Sequence, residues 1–133
     1  MASAKTRLVL LWTLSVLLAL VFLYSGSGKL LNAKAPDGQD WAHQFVAWGY
    51  PSWTRIVVGV AEVSGAISVL VPRLRPFAAA GLSVLMLGAI PTHLLNHESP
   101  AATVPAVLLL LCGTLAWTSR PTSPDAARPV AST

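Results

Sequence analysis

Ile56-Val-Val-Gly-Val-Ala-Glu-Val-Ser-Gly-Ala-Ile-Ser-Val-Leu-Val71 is an apolar run with a single charged residue, Glu62, near its middle. An open sheet cannot satisfy its backbone in lipid, and the run lacks the alternation of a barrel strand, so it reads as a membrane helix. A carboxylate at that depth costs about 2.5–3.5 kcal/mol on insertion scales and therefore calls for a function and a partner. The candidate partners are Lys29, His93 and Tyr24.

The rest of the chain has the same character. Of its 133 residues, 54% are hydrophobic and only 11% are charged, and the mean hydropathy is +0.63. That composition excludes an ordinary soluble domain. Four apolar stretches, Leu8 to Gly28, Trp53 to Val71, Phe77 to Leu95 and Ala101 to Thr118, each approach the ~20 residues that cross a hydrocarbon core. The expectation is an all-α, four-helix transmembrane bundle in one domain, residues 1–118. Residues 119–133, rich in Pro, Ser and Ala, are expected to be a disordered cytoplasmic tail. A cleaved signal peptide is the lesser reading of the N-terminus, because the apolar run exceeds the ~7–15 residues of an h-region.

Orientation follows from the basic residues. Lys5, Arg7, Arg73, Arg75, Arg120 and Arg128 flank the spans on one side, leaving Lys29, Lys34 and Arg55 on the other. Both termini are expected in the cytoplasm. The net charge of +4 is thus topogenic, and no stripe or aromatic-interleaved patch suggests nucleic acid.

The long outer connection has a pattern of its own. Asp40 is placed to cap a short amphipathic helix carrying Trp41, Gln44, Phe45 and Trp48, which Gly49-Tyr50-Pro51 ends. Its tryptophans suit the headgroup level, so it is expected to lie in the interface, as a belt or as a lid over a pocket. Gly59, Glu62, Gly65 and Ala66 share one side of their helix, where small residues admit a neighbouring helix closely. Glu62 then points into the bundle. On the third span His93 shares a face with Met86, and Pro91 interrupts the hydrogen-bond ladder close by.

Gly28-Lys29-Leu30, Trp48-Gly49-Tyr50-Pro51, Val58-Gly59 with Glu62 and Gly65-Ala66, and Gly88-Ala89 with Thr92-His93 fall in an order that resembles the DoxX-like family of small bacterial membrane proteins. The resemblance covers nearly the whole chain except its ends. It implies a four-helix integral protein of the bacterial plasma membrane. Family members are linked to quinone and thiosulfate oxidation or to assemblies that handle oxidative stress, which implies a redox-protein partner. Lys29, Glu62 and His93 match the family's polar positions without a chemistry being assigned to them.

Each polar residue also has a structural reading. Lys29 either snorkels to the interface or acts as counter-ion to Glu62, His93 either bonds a loop carbonyl or carries protons, and Tyr24 is either a belt residue or an acid. A lone buried carboxylate has the weakest structural alternative, since Gln would pack as well. His93, His97 and Glu98 at one helix end are thin support for a metal, and no metal or other cofactor is expected. Cys112 is the only cysteine, so thiol exchange within the chain is excluded.

Three function classes remain. The first is acid–base chemistry on a lipophilic molecule, by epoxide opening, isomerisation or cyclisation, with Glu62, His93, Tyr24 and Lys29 as catalytic groups and Trp41, Phe45, Trp48 and Met86 lining the pocket. The second is a quinone-linked redox subunit that depends on a partner, and the third is a scaffold without turnover. The sequence is compatible with an enzyme and with a non-catalytic protein, and with a homo-oligomer; its expected partners are the bilayer and a lipophilic small molecule.

Overall fold

A computed structural model describes residues 3–121. The expected disordered tail falls largely outside the described residues. The chain is all-α, with α1 at Ala4–Leu30, α2 at Trp41–Ala47, α3 at Thr54–Val69, α4 at Arg75–Leu95 and α5 at Thr103–Ser119. The described residues form no strand beyond an isolated bridge between Lys34 and Asp40.

Helices α1, of 27 residues, and α4, of 21, are long and apolar enough to cross a membrane. At 16 and 17 residues, α3 and α5 are shorter than the ~20 expected of a span. The difference lies at the ends. Against the apolar runs, α3 loses Trp53 at its start and Leu70-Val71 at its end, just before Pro72, whose predecessor is biased away from helix, and α5 loses Ala101-Ala102 in the turn after Pro100.

The helices pack in antiparallel pairs, α1 on α3 and α4 on α5, joined by further contacts between α3 and α4 and between α1 and α5. The core between them is built from Leu18, Phe22, Ala66, Leu82, Cys112 and Leu115. The outward faces are equally apolar, carrying exposed Leu20, Val84 and Leu110. A helix hydrophobic all round is what a lipid environment permits.

Glycine sets the two closest approaches. A Cβ on Gly26 would lie 2.9 Å from the Gly59 carbonyl oxygen, and one on Gly59 would lie 3.0 Å from that of Gly26. Backbone therefore meets backbone where α1 crosses α3. Gly65 makes similar room for Leu82 of α4, whose side chain comes within 2.7 Å of the position a Cβ would take.

Two arginines assigned from sequence to the flanks are integrated into the packing. Arg75 is 4% exposed: its Nε donates to the Val69 carbonyl at 2.8 Å, and its guanidinium stacks 4.5 Å from the Trp12 ring centroid. It closes the end of α3, where the last turn of any helix leaves carbonyls without partners. Arg55 does the same for α1, its Nη1 donating to the carbonyls of Lys29 at 2.5 Å and Leu30 at 3.3 Å. Arg7, whose Nη2 donates to the Thr118 carbonyl at 2.6 Å, joins Arg75 at one end of the molecule. Lys29, Arg55 and α2 occupy the other.

Candidate functional site

The site begins with helical spacing on α1. Ser25 and Lys29 are four residues apart and so lie one above the other on a single face. That face meets α3 at the Gly26–Gly59 crossing, three residues before Glu62, which brings the carboxylate level with both. Lys29 Nζ donates to Glu62 Oε2 at 3.0 Å, to Oε1 at 3.3 Å and to Ser25 Oγ at 2.6 Å. Ser25 Oγ donates in turn to Glu62 Oε2 at 3.2 Å. Lys29 and Glu62 are only 6% and 3% exposed, so the charges form a closed triangle with the serine hydroxyl inside protein. Arg55 lies two turns from Glu62 on the same side of α3, and its bond to the Lys29 carbonyl fixes the height at which Lys29 leaves α1.

Helix α2 covers this triangle. Asp40 caps it as its sequence indicates, the carboxylate accepting from His43 N at 2.8 Å. Trp41 lies with its ring centroid 4.3 Å from Lys29 Nζ, a cation–π contact that supplies the ammonium with a further partner. Trp41 meets Phe45 and Trp48 edge to face, and Phe45 meets Trp48 at a tilt, with centroids 5.3 to 6.4 Å apart. They separate the Lys29–Glu62 pair from a second polar group.

That second group joins α2 to the end of α4. His93 Nδ1 lies 2.7 Å from Glu98 Oε2, and Trp48 Nε1 donates to Glu98 Oε1 at 3.2 Å. The ring of Trp48 meets the His93 ring at 5.1 Å. Gln44 lies between Asp37 and Trp48, and the amide orientation that satisfies both places its oxygen 2.9 Å from Trp48 Nε1 and its nitrogen on the Asp37 carboxylate. Tyr50 adds a tie, its hydroxyl 2.9 Å from Thr92 Oγ1.

The sequence candidates thus divide. Lys29 and Glu62 meet; His93 belongs to the neighbouring cluster and has no hydrogen bond to Glu62. Tyr24 is not brought to either group. It is 86% exposed, because one residue along α1 turns it about 100° away from Ser25. Phe45 and Met86 are both 5% exposed, Phe45 under α2 and Met86 within the apolar core. His97 is exposed on a left-handed turn, φ 60°. Among the described residues no group of three or more His, Cys, Asp and Glu side chains is disposed to hold a metal ion.

Ser25 is not among the sequence candidates, although its four-residue spacing to Lys29 is a signal for it. Glu98 enters the sequence reading only beside His93 and His97 as thin support for a metal; its bond to Trp48, fifty residues away, has no sequence signal. Two surface grooves, of ≈ 460 Å³ beside Trp117 and ≈ 590 Å³ between α3 and α4 near Phe77, are lined by neither cluster.

The triangle presents an ammonium donor, a carboxylate acceptor and a hydroxyl that both donates and accepts. Neither the curated proteins nor the solved structures yield a match to this chain. The family model described as the DoxX-like family matches residues 13–115. With its polar pair, small-residue crossing and membrane-helix character, the chain belongs to the DoxX-like family.

Proposed function

We propose that this DoxX-like chain is a four-pass protein of the bacterial plasma membrane with both termini cytoplasmic, spanning with α1, α3, α4 and α5 while α2 lies at the outer interface. Arg7 and Arg75 share one end of the molecule, which the lysine and arginine bias makes the cytoplasmic one. The Lys29–Glu62–Ser25 triangle then lies in the outer half.

The triangle is the polar end of a site for a lipophilic small molecule, and its chemistry is acid–base. The observation that carries this reading is the pair itself, two ionisable groups 3.0 Å apart beneath the aromatic face of α2. Charged residues within membrane segments are costly and mark functional paths. A polar headgroup that displaces the Trp41 ring would meet Lys29 as donor and Glu62 as acceptor. Proton transfer at such a positioned pair suits epoxide opening, isomerisation or cyclisation. His93, oriented through Nδ1 by Glu98, is a second proton carrier beside it.

A scaffold reading without turnover draws support from the same triangle, because its charges are satisfied within the protein. The quinone-linked redox subunit is suggested by the family resemblance and needs a protein partner for electrons. One experiment separates the three. The protein is purified in mild detergent beside its Glu62→Gln variant, and co-purifying lipophilic molecules are extracted and identified by mass spectrometry. A molecule enriched over bulk lipid in the wild type and turned over only there supports the acid–base site. An enriched quinone that is not altered supports the redox subunit, and no enrichment in either protein leaves the scaffold.

A further inference from the structure

We propose that α2 is a gate over the Lys29–Glu62 pair and that Glu98 is its latch. The proposal rests on the binding site put forward above, whose regulation it describes.

The ties on the two sides of α2 differ in kind. On the α1 side they include backbone: Trp41 N donates to the Ala33 carbonyl at 3.1 Å, and Ala42 N donates to Asn32 Oδ1 at 2.8 Å. On the α4 side the hydrogen bonds are between side chains. Trp48 Nε1 reaches Glu98 at 3.2 and 3.3 Å while sharing its hydrogen with the Gln44 oxygen of its own helix at 2.9 Å, and the Tyr50 hydroxyl reaches Thr92. Bonds of that length to a carboxylate whose side chain is 34% exposed exchange readily with water, whereas the bonds at the α1 end hold the chain itself. The segment therefore swings from its α1 side and releases at its α4 side.

The releasing flank permits the motion. Gly49 adopts φ 90°, with nothing within 4 Å of where a Cβ would sit. Glycine reaches such an angle without steric cost, so this joint is not jammed by a side chain. The underside of α2 completes the device. Trp41 rests over Lys29 while its edge is held by Phe45 and Trp48. Once Trp48 leaves Glu98 and draws Phe45 with it, the Trp41 ring, its backbone still tied to Ala33, can rotate off the face of Lys29. Glu98 also holds His93, so release of the gate and freedom of the imidazole are linked through one carboxylate.

The test uses the full chain in lipid nanodiscs, with Cys112→Ala and spin labels on cysteines replacing Ala47 of α2 and Ala80 of α4, both exposed. Pulsed electron spin resonance should give one narrow distance with the latch intact. Trp48→Phe, which keeps a ring but removes the Nε1 donor, and Glu98→Ala should each add a second population at longer distance. A control pair at Leu10 and Ala80 should not change. If Glu98→Ala broadens the control as well, that variant has lost packing and Trp48→Phe decides alone. An unchanged Ala47–Ala80 distance in Trp48→Phe overturns the gate. The measurement needs no ligand, so a gate that opens in a protein with no co-purifying molecule would stand while the binding-site reading fell.

Discussion

Replacing Glu62 by Gln keeps the shape of the side chain and removes its charge, leaving Lys29 as an unpaired ammonium at 6% exposure. Two unit charges 3.0 Å apart attract by about 5 kcal/mol at an effective dielectric of ~20. Desolvation of both groups offsets much of this in the intact pair, but removing one partner leaves the other's desolvation uncompensated, at a typical cost of about 3–5 kcal/mol. Here the stranded ammonium keeps the Ser25 hydroxyl at 2.6 Å and the face of Trp41. The expected loss therefore sits near the lower bound, about 3 kcal/mol. Lys29→Met in the same chain should recover most of it, since an apolar pair of similar volume is often neutral in such a position. Unfolding by graded sodium dodecyl sulfate in mixed micelles, applied to wild type, both single variants and the double, yields the coupling energy directly. A Glu62→Gln protein within ~0.5 kcal/mol of wild type, or a double variant no better than the single, would refute the reasoning. If turnover is found, Glu62→Gln should reduce it by roughly 10²–10⁴-fold, and a double variant stable but inactive would show that the pair serves both fold and chemistry.

Gly26→Ala should be destabilising by about 1–3 kcal/mol, the usual result of overpacking, because its Cβ would meet the Gly59 carbonyl at 2.9 Å and the Glu62 Cβ at 3.0 Å. Gly113→Ala, with nothing within 4 Å, is the matched control, and equal thermal stability of the two variants would remove the role assigned to the α1–α3 crossing. For topology, in a Cys112→Ala background, cysteine at Gln39 should react with a membrane-impermeant thiol reagent in intact cells, while cysteine at Arg73 should react only after lysis. Both positions are exposed, so labelling of residue 73 in intact cells would reverse the proposed orientation.

Much of the site was legible along the chain because helices convert spacing into direction. Gly59, Glu62 and Ala66 all lie on the buried side of α3, as three- and four-residue steps require. The same arithmetic applied to α1 places Ser25 with Lys29 and turns Tyr24 away. Tyr24 shows that nearness to Lys29 along the chain is silent about rotation. By sequence alone Arg55 and Arg75 read as charges near the ends of spans. Their guanidinium groups instead complete the terminal turns of neighbouring helices, a role set by where those helices end in space.

What the sequence by itself determined is the all-α class, the helix order, the N-cap of α2 and the identity of the buried carboxylate, all products of local propensity, hydropathy and periodicity. What only the tertiary structure decided is which polar groups meet. Lys29 pairs with Glu62 because two glycines let α1 and α3 touch backbone to backbone, and Trp48 reaches Glu98 because the loop after α4 turns back toward α2. A contact between residues from separate helices depends on crossing point and rotation together, and neither quantity is carried by any single stretch of chain.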